Sequence, residues 1–490
     1  MDEKLYQLAL AIDYADDEKN VTRLKSLAEE CSNSAGDFDG ASYAYCLFLQ
    51  ANCHAALIRS KPQKEDDEWS WEQEEKVAEL LCLRKAATAS GFVDLDEVSQ
   101  CKILTNTAGA LSSLGRPIEA VDAWDQAILK IPKFAMALGN RGVGLISYGR
   151  SLYDHGHAAV MMSHACQNLE AALRKDAFWD SGPHPEAQQY FARNKQQCAE
   201  HLGAIEFDGG TNLDRWALGE TCTEIEYREW CLRRKLFLSP LNDVCSLSVA
   251  AQDVIHLPSH VYPTGESPRF VGYFNSLKQE YVTARHLLFK GAVCDDAHYA
   301  DRDVLLLHAN DGAKFGYWHE NLKIAYRLLY SLLDKVALFL NEYFSVGLAP
   351  GAVNFRRIWG KVEKGGVFTL NTVFKDKKNW PLRGLFYVSK DLFDEELKDT
   401  SLPQSRDLSS IRNRAEHRFV SLVYGTPANI ETDMHAYIDV RDFEEKAVRL
   451  ARIARESLIY LSLAMHREEQ HRHEGSTELI PPVPSIPVNR

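Results

Sequence analysis

An all-α chain is what this sequence predicts: an N-terminal α-solenoid followed by a C-terminal four-helix bundle that carries a basic insert. Three observations predict it. The chain has 490 residues, too many for a single core, so two to four domains are expected. A stretch of the first half nearly repeats itself, and long segments of the second half place apolar residues at helical spacing.

The repeat comes first. NTAGALSSLGR at 106–116 is matched by NRGVGLISYGR at 140–150, an offset of 34 residues. Small residues stand at Ala108 and Gly142, Leu at 111 and 145, and Gly at 115 and 149. That period and pattern resemble the tetratricopeptide repeat (TPR). Each hairpin needs Gly at its inter-helix turn, small residues where helices touch, and Pro132 to end the second helix. A hairpin cannot bury its face alone, so neighbours are required, and the apolar-periodic segments 5–28, 41–58, 72–89, 157–173 and 186–205 can supply them as degenerate repeats. The TPR-like array is therefore expected over residues 1–204, where it would offer a binding surface for a protein or peptide. The acidic run KEDDEWSWEQEEK at 64–76 reads as a solvated loop and helix start.

Composition excludes several classes. The eleven cysteines stand singly, without a C-x-x-C pair or zinc-type Cys/His spacing, so neither a disulfide framework nor a metal is expected, and no cofactor motif is present. A formal charge of −13 argues against a surface coated with nucleic acid, so any RNA contact is expected to be local. No apolar run is long enough to span a bilayer, and the start MDEKLYQLALAIDYADDEKN lacks a basic-then-apolar signal. A cytoplasmic location without a membrane partner is expected.

Residues 205–264 lose the repeat periodicity and carry turn signals at Gly209-Gly210, Pro240 and Pro258. They read as a connector in which Trp230, Phe237 and Leu241 are packing residues. Residues 265–474 form the expected bundle. Its first helix carries Phe270, Phe274, Leu277, Tyr281, Ala284 and Leu288 on one face, and its second, 315–344, is apolar nearly all round and so central. The third is RDLSSIRNRAEHRFVSLVYG at 406–425; the fourth has the stripe Phe443, Ala447, Leu450, Ala454, Leu458, Leu461 and Met465. Residues 475–490 are Pro-rich and polar, a tail expected to be disordered.

The third helix carries the chemistry. Arg412-Asn413-Arg414-Ala415-Glu416-His417 reads R-N-x-x-x-H. Arg followed by His at similar spacing also occurs at Arg150/His155, Arg302/His308 and Arg467/His473, but only position 412 adds the Asn. The motif resembles the signature of the HEPN superfamily (higher eukaryotes and prokaryotes nucleotide-binding), and EYREWCLRRKLFLSPLND at 226–243 resembles a segment of a bacterial subfamily that joins TPR to HEPN. The resemblance implies a ribonuclease of prokaryotic defence or toxin type that works as a homodimer, with two copies of the motif in one cleft. On an ideal helix Asn413 and His417 lie roughly 40° apart, whereas Arg412 lies roughly 140° from His417, so one helix does not easily focus all three. His417 is the candidate general acid/base, Arg412 the phosphate ligand and Asn413 the group that orients the ring or the scissile bond. Glu416 and Asp334 are supporting candidates; for Asp334 a salt bridge to a bundle arginine is the equal alternative.

Within an insert at 350–404, residues 356–390 hold nine basic residues against two acidic ones. Arg356, Arg357, Lys361, Lys375, Lys377, Lys378 and Arg383 could meet RNA phosphates while Trp359, Phe374, Trp380 and Tyr387 stack bases. Equally, the segment could be a hairpin-like flap whose aromatics pack on the bundle. The functional expectation is a metal-independent endoribonuclease regulated through the repeats. Two alternatives stand beside it: a non-catalytic dimeric adaptor that binds RNA, nucleotide or a partner protein, and a nucleotide-transferase partner or target with AMP placed on a tyrosine such as Tyr424.

Overall fold

In the computed structural model, residues 2–473 are described apart from 62–68, 181, 183, 205–213, 215, 259–267, 295, 308–309, 364–367, 401–407, 409–410, 412–417 and 426–433, and the side chains of 395 and 399. The chain is predominantly helical and divides into two compact units. No helix among the described residues is long and apolar enough to cross a membrane.

Unit 1 comprises Met1–Leu213, Asp243–Cys245 and Arg383–Leu402. Among the described residues it holds α1 (Glu3–Asp17), α2 (Val21–Ser34), α3 (Gly40–Ser60), α4 (Glu74–Thr88), α5 (Glu97–Ser113), α6 (Pro117–Lys130), α7 (Ala135–Ser151), α8 (His155–Ala172) and α9 (Pro185–Ala204), each packed on its sequence neighbours. Local chemistry sets the boundaries. The side chains of Asp2, Asn20, Asp96 and Asp154 each accept a backbone N–H of the first turn that follows. Pro117 opens α6, where its missing N–H costs nothing.

The 34-residue repeat is two helical hairpins, α5–α6 and α7–α8, with one difference from expectation. Gly115 makes the α5–α6 turn at φ 88°, a left-handed conformation that suits glycine. Gly149 is no turn residue: it lies inside α7, and a Cβ there would come within 3.2 Å of Met161 Cβ on α8. The same letter serves a turn in one hairpin and close helix packing in the other. The segment 5–28, read as one apolar stretch, is likewise two helices, broken at Lys19 with φ 52°.

Unit 1 also takes up a helix from far along the chain. The short α13 (Thr372–Lys375) precedes α14 (Trp380–Phe393) and α15 (Glu395–Thr400), and residues 383–402 belong to this unit. Leu385, Phe386, Tyr387 and Val388 are all buried there, each apolar side chain contributing about 1.5–3 kcal/mol. The Phe386 ring meets Trp71 edge-on at 5.6 Å, and the Tyr387 hydroxyl donates to the Trp71 carbonyl at 2.8 Å. Asp391 is clasped by Arg84 and Arg116.

Unit 2 comprises Asp214–Asn242, Ser246–Leu382 and Pro403–Arg490. Three long helices make its core: α11 (Arg269–Val293), α12 (Tyr317–Tyr343) and α16 (Val440–His473), mutually packed. The apolar stripe expected on the last of them is buried throughout, from Phe443 to Met465. The segment before α11, with α10 (Cys222–Arg233), is tied into the same core. Arg285 makes a bidentate pair with Asp253 at 2.8 Å, and Arg455 donates to the carbonyls of Phe237 and Ser239 at 2.5 and 2.7 Å. Trp230, Phe237 and Leu241 are buried.

One stretch read as helix is strand. Phe419–Val423 forms β4, the centre of a three-stranded sheet between β1 (Ala313–Lys314), antiparallel, and β5 (His435–Asp439), parallel. Val420, Leu422 and Ala436 share one face and are buried, as are Ser421 and Val423 on the other face of β4. A separate hairpin pairs β2 (Gly360–Val362) with β3 (Phe368–Leu370).

Candidate functional site

The sequence motif does not supply the described geometry: Arg412, Asn413, Glu416 and His417 lie outside the described residues. Its two edges are described. Ile411 on one side is buried, and Arg418 on the other is exposed and opens into a cavity.

That cavity, of about 360 Å³, is built from one helix and one sheet of unit 2. Glu320, Lys323 and Arg327 project from one face of α12, spaced by three and four residues as neighbours on a helix surface are. Opposite them, β4 and β5 run in parallel register, Phe419 beside His435 and Ser421 beside Tyr437, so these four side chains share one face. The wall is completed by Asp311 and Phe315.

Its polar groups are partly engaged with one another. Lys323 is paired with Glu320 and also reaches the Val420 carbonyl at 3.5 Å. Ser421 Oγ and His435 Nε2 share a hydrogen bond of 2.8 Å, and the His435 ring lies against Tyr437 with centroids 4.3 Å apart. Asp311 accepts the Ala313 N–H at 3.1 Å and the Tyr437 hydroxyl at 3.1 Å; the first bond, helped by the second, holds its carboxyl below the ordinary value. Burial and then that same carboxylate raise the Tyr437 hydroxyl. Arg327 and Arg418 are exposed, and among the described residues neither has an ion-pair partner. Two guanidinium groups thus face one cavity whose other charges are engaged.

The insert sorts into two sets. Arg356, Arg357, Lys361, Lys375 and Lys378 are exposed. Lys377 is half-buried and tied to Glu468 at 2.5 Å, and Trp380 is half-buried at the start of α14. The other expectations are corrected by burial. Arg383 is 5 % exposed and donates to the carbonyls of Ser70 and Ser113 at 3.2 and 2.7 Å, so its charge is spent on unit 1 rather than on phosphate. Trp359, 1 % exposed, packs against Phe355 and Phe374; with Phe374 and Tyr387 also buried, none of these rings presents a face to a base. Asp334 accepts the Phe355 N–H at 3.0 Å and so holds the start of the insert onto α12. Tyr424 is exposed beside the cavity strand, with Lys314 over its ring at 5.4 Å.

Sequence reasoning missed the cavity residues. Arg327, Ser421 and His435 are distant in sequence, and only the short, β-branched and apolar composition of FVSLV signals the strand that gathers them. Among the described residues, no group of three or more His, Cys, Asp or Glu could hold a metal ion.

Residues 261–468 match the family model described as LA2681-like HEPN. The match supports a HEPN domain over that span, which encloses the R-N-x-x-x-H motif and every residue of the cavity. No curated protein and no solved structure matches the chain.

Proposed function

We propose that the HEPN domain is an endoribonuclease that cleaves RNA by attack of a 2′-hydroxyl, without a metal, and that the N-terminal helical array regulates it. One observation carries this reading: the chain's R-N-x-x-x-H, with Asn beside Arg, falls inside the span that matches a HEPN family model. The chemistry suits the residues. Cleavage needs a base for the 2′-hydroxyl proton, an acid for the departing 5′-oxygen and cations for the charge on the phosphorane. His417 takes the proton-transfer role, and Arg412 the phosphate, whose oxygens match its fork of donors. Asn413 is the group that orients the imidazole.

Two copies of the motif, one from each protomer of a homodimer, would together supply two imidazoles and two guanidinium groups to one phosphodiester. The cavity supports the reading from outside the motif, because Arg418 follows His417 directly and adds a further exposed cation next to it.

The test is RNA cleavage by the purified full chain in the presence of a chelator. Wild type is expected to cut, and Arg412→Ala and His417→Ala to lose cutting while still binding RNA. Mapping new 5′ ends in cellular RNA after expression of wild type and Arg412→Ala reads out substrate and position together. Unchanged cleavage by a folded His417→Ala protein overturns the proposal.

A further inference from the structure

The cavity between α12 and the sheet has features that the R-N-x-x-x-H motif does not account for. From its contents we infer that it is a nucleotide subsite, in which Arg327 and Arg418 bind a phosphate and the rings of Phe419 and Phe315 receive a base. The inference extends the ribonuclease reading and rests on it only for the expectation that the nucleotide belongs to RNA.

Charge is the first argument. Glu320 is neutralised by Lys323, and Asp311 is already held by an N–H and a hydroxyl, leaving Arg327 and Arg418 as two unpaired cations among the described residues. Guanidinium groups present donors in a planar fork that matches phosphate oxygens, and with Lys323 the three cations of the lining outnumber its two carboxylates.

Apolar surface is the second. Phe419 and Phe315 are 69 % and 53 % exposed, yet both line the same cavity as the two arginines. Exposed rings beside unpaired cations are the combination that holds single-stranded nucleic acid, since each base offers a π-face and each linkage a negative charge. A simple anion would use the cations alone, and a hydrophobic peptide the rings alone.

The third argument is the remaining wall. Ser421 and His435, joined at 2.8 Å, add hydrogen-bonding groups to the lining that holds the arginines and the rings, of the kind a sugar hydroxyl would meet. A volume of about 360 Å³ sits at the small end of ligand cavities, suited to a single nucleotide rather than a large cofactor.

The test uses the full chain and a fluorescent hexaribonucleotide methylated at every 2′-oxygen, which lacks the attacking hydroxyl and cannot be cut. Anisotropy at fixed ionic strength is expected to show binding by wild type, weakened about tenfold or more in Arg327→Gln by loss of a charged hydrogen bond. Phe419→Ala is expected to weaken it about tenfold by loss of stacking. Both side chains are exposed, so thermal unfolding should match wild type and exclude misfolding as the cause.

Adenosine 5′-monophosphate and inorganic phosphate are added as competitors. Displacement by the mononucleotide, and far less by phosphate, points to a free nucleotide as a second source of ligand. Displacement by neither confines the subsite to RNA, and both results support it so long as Arg327 is needed. Equal binding by wild type, Arg327→Gln and Phe419→Ala overturns the subsite, as does no binding by wild type. Cleavage of unmodified RNA is scored separately. A chain that binds through Arg327 but cuts nothing removes the ribonuclease reading and keeps the subsite; a chain that cuts RNA but binds the hexamer independently of Arg327 does the reverse.

Discussion

Asp391 forms a bidentate pair with Arg84, Nη1 to Oδ1 at 2.7 Å and Nη2 to Oδ2 at 2.9 Å, across 307 residues of sequence. Arg116 closes the group from a third position, bonding both Asp391 and Glu119. The part of α14 from Arg383 onward is thereby part of the N-terminal helical unit. The apolar contacts of Phe386, Val388 and Leu385 supply the burial, and the ionic group fixes which way the helix lies.

Removing one member of this group should cost more than the group contributes. Asp391→Ala leaves Arg84 without its buried carboxylate and the 2 % exposed Arg116 with Glu119 alone, and breaking a buried pair in this way costs about 3–5 kcal/mol. The expected result is a lower urea midpoint for unit 1 and faster amide hydrogen exchange in α4 and α14. Exchange unchanged in both helices would show that the pair is not what holds α14.

The same carboxylate sets an acid limit. Burial pushes the Asp391 carboxyl up, but Arg116 and Arg84 outweigh it and hold the group well below the usual carboxylate range. A folded-state value below the unfolded one, near about 3.9, gives stability that is complete above the unfolded value and lost as pH falls through the folded one. Urea midpoints of wild type and Asp391→Asn are therefore expected to differ most near neutrality and to converge as pH drops below about 4. A gap that widens on acidification contradicts this sign.

Gly384 gives a prediction in which two effects compete. Alanine favours a helix over glycine by about 1 kcal/mol. Against that, a Cβ at 384 would stand 1.9 Å from the Gly115 carbonyl oxygen, a backbone atom in a turn with φ 88°, which cannot yield as a flexible side chain can. Overpacking of this kind costs about 1–3 kcal/mol, so the clash wins. Gly384→Ala is expected to lower the melting temperature of the full chain, and a rise would mean that the two glycines do not approach so closely.

These relationships mark where the sequence stops being legible. The 34-residue repeat could be read because it encodes contacts between near neighbours, and the stripe from Phe443 to Met465 because helical period and burial coincide. The role of Arg383 could not. Its charge is the same whether it meets phosphate or the carbonyls of Ser70 and Ser113, and only the long-range docking of α14 decides between them. FVSLV, expected to be the end of a helix, has too few residues to fix its period, and the parallel partner that makes it a strand is supplied by residues 435–439. The cavity depends on that pairing and on α12 together, so no single segment announces it.

The basic insert offers a last prediction, in which exposure separates two sets of cations of equal charge. Arg356, Arg357 and Lys375 are exposed, whereas Lys377 is tied to Glu468 and Arg383 is buried. If the exposed set meets RNA, each phosphate contact releases counterions, and the logarithm of affinity falls with the logarithm of salt at about 0.7 per contact on a single strand. The triple variant Arg356→Gln, Arg357→Gln, Lys375→Gln should therefore bind the methylated hexamer with a slope shallower by about 2. Lys377→Gln should leave the slope as it is, because its charge already faces a carboxylate, and Arg383→Gln should lower stability while the slope stays at the wild-type value. A triple variant with the wild-type slope would take the insert out of RNA binding altogether, leaving it as the strap through which Phe355 is held on Asp334 and Trp359 on Phe374.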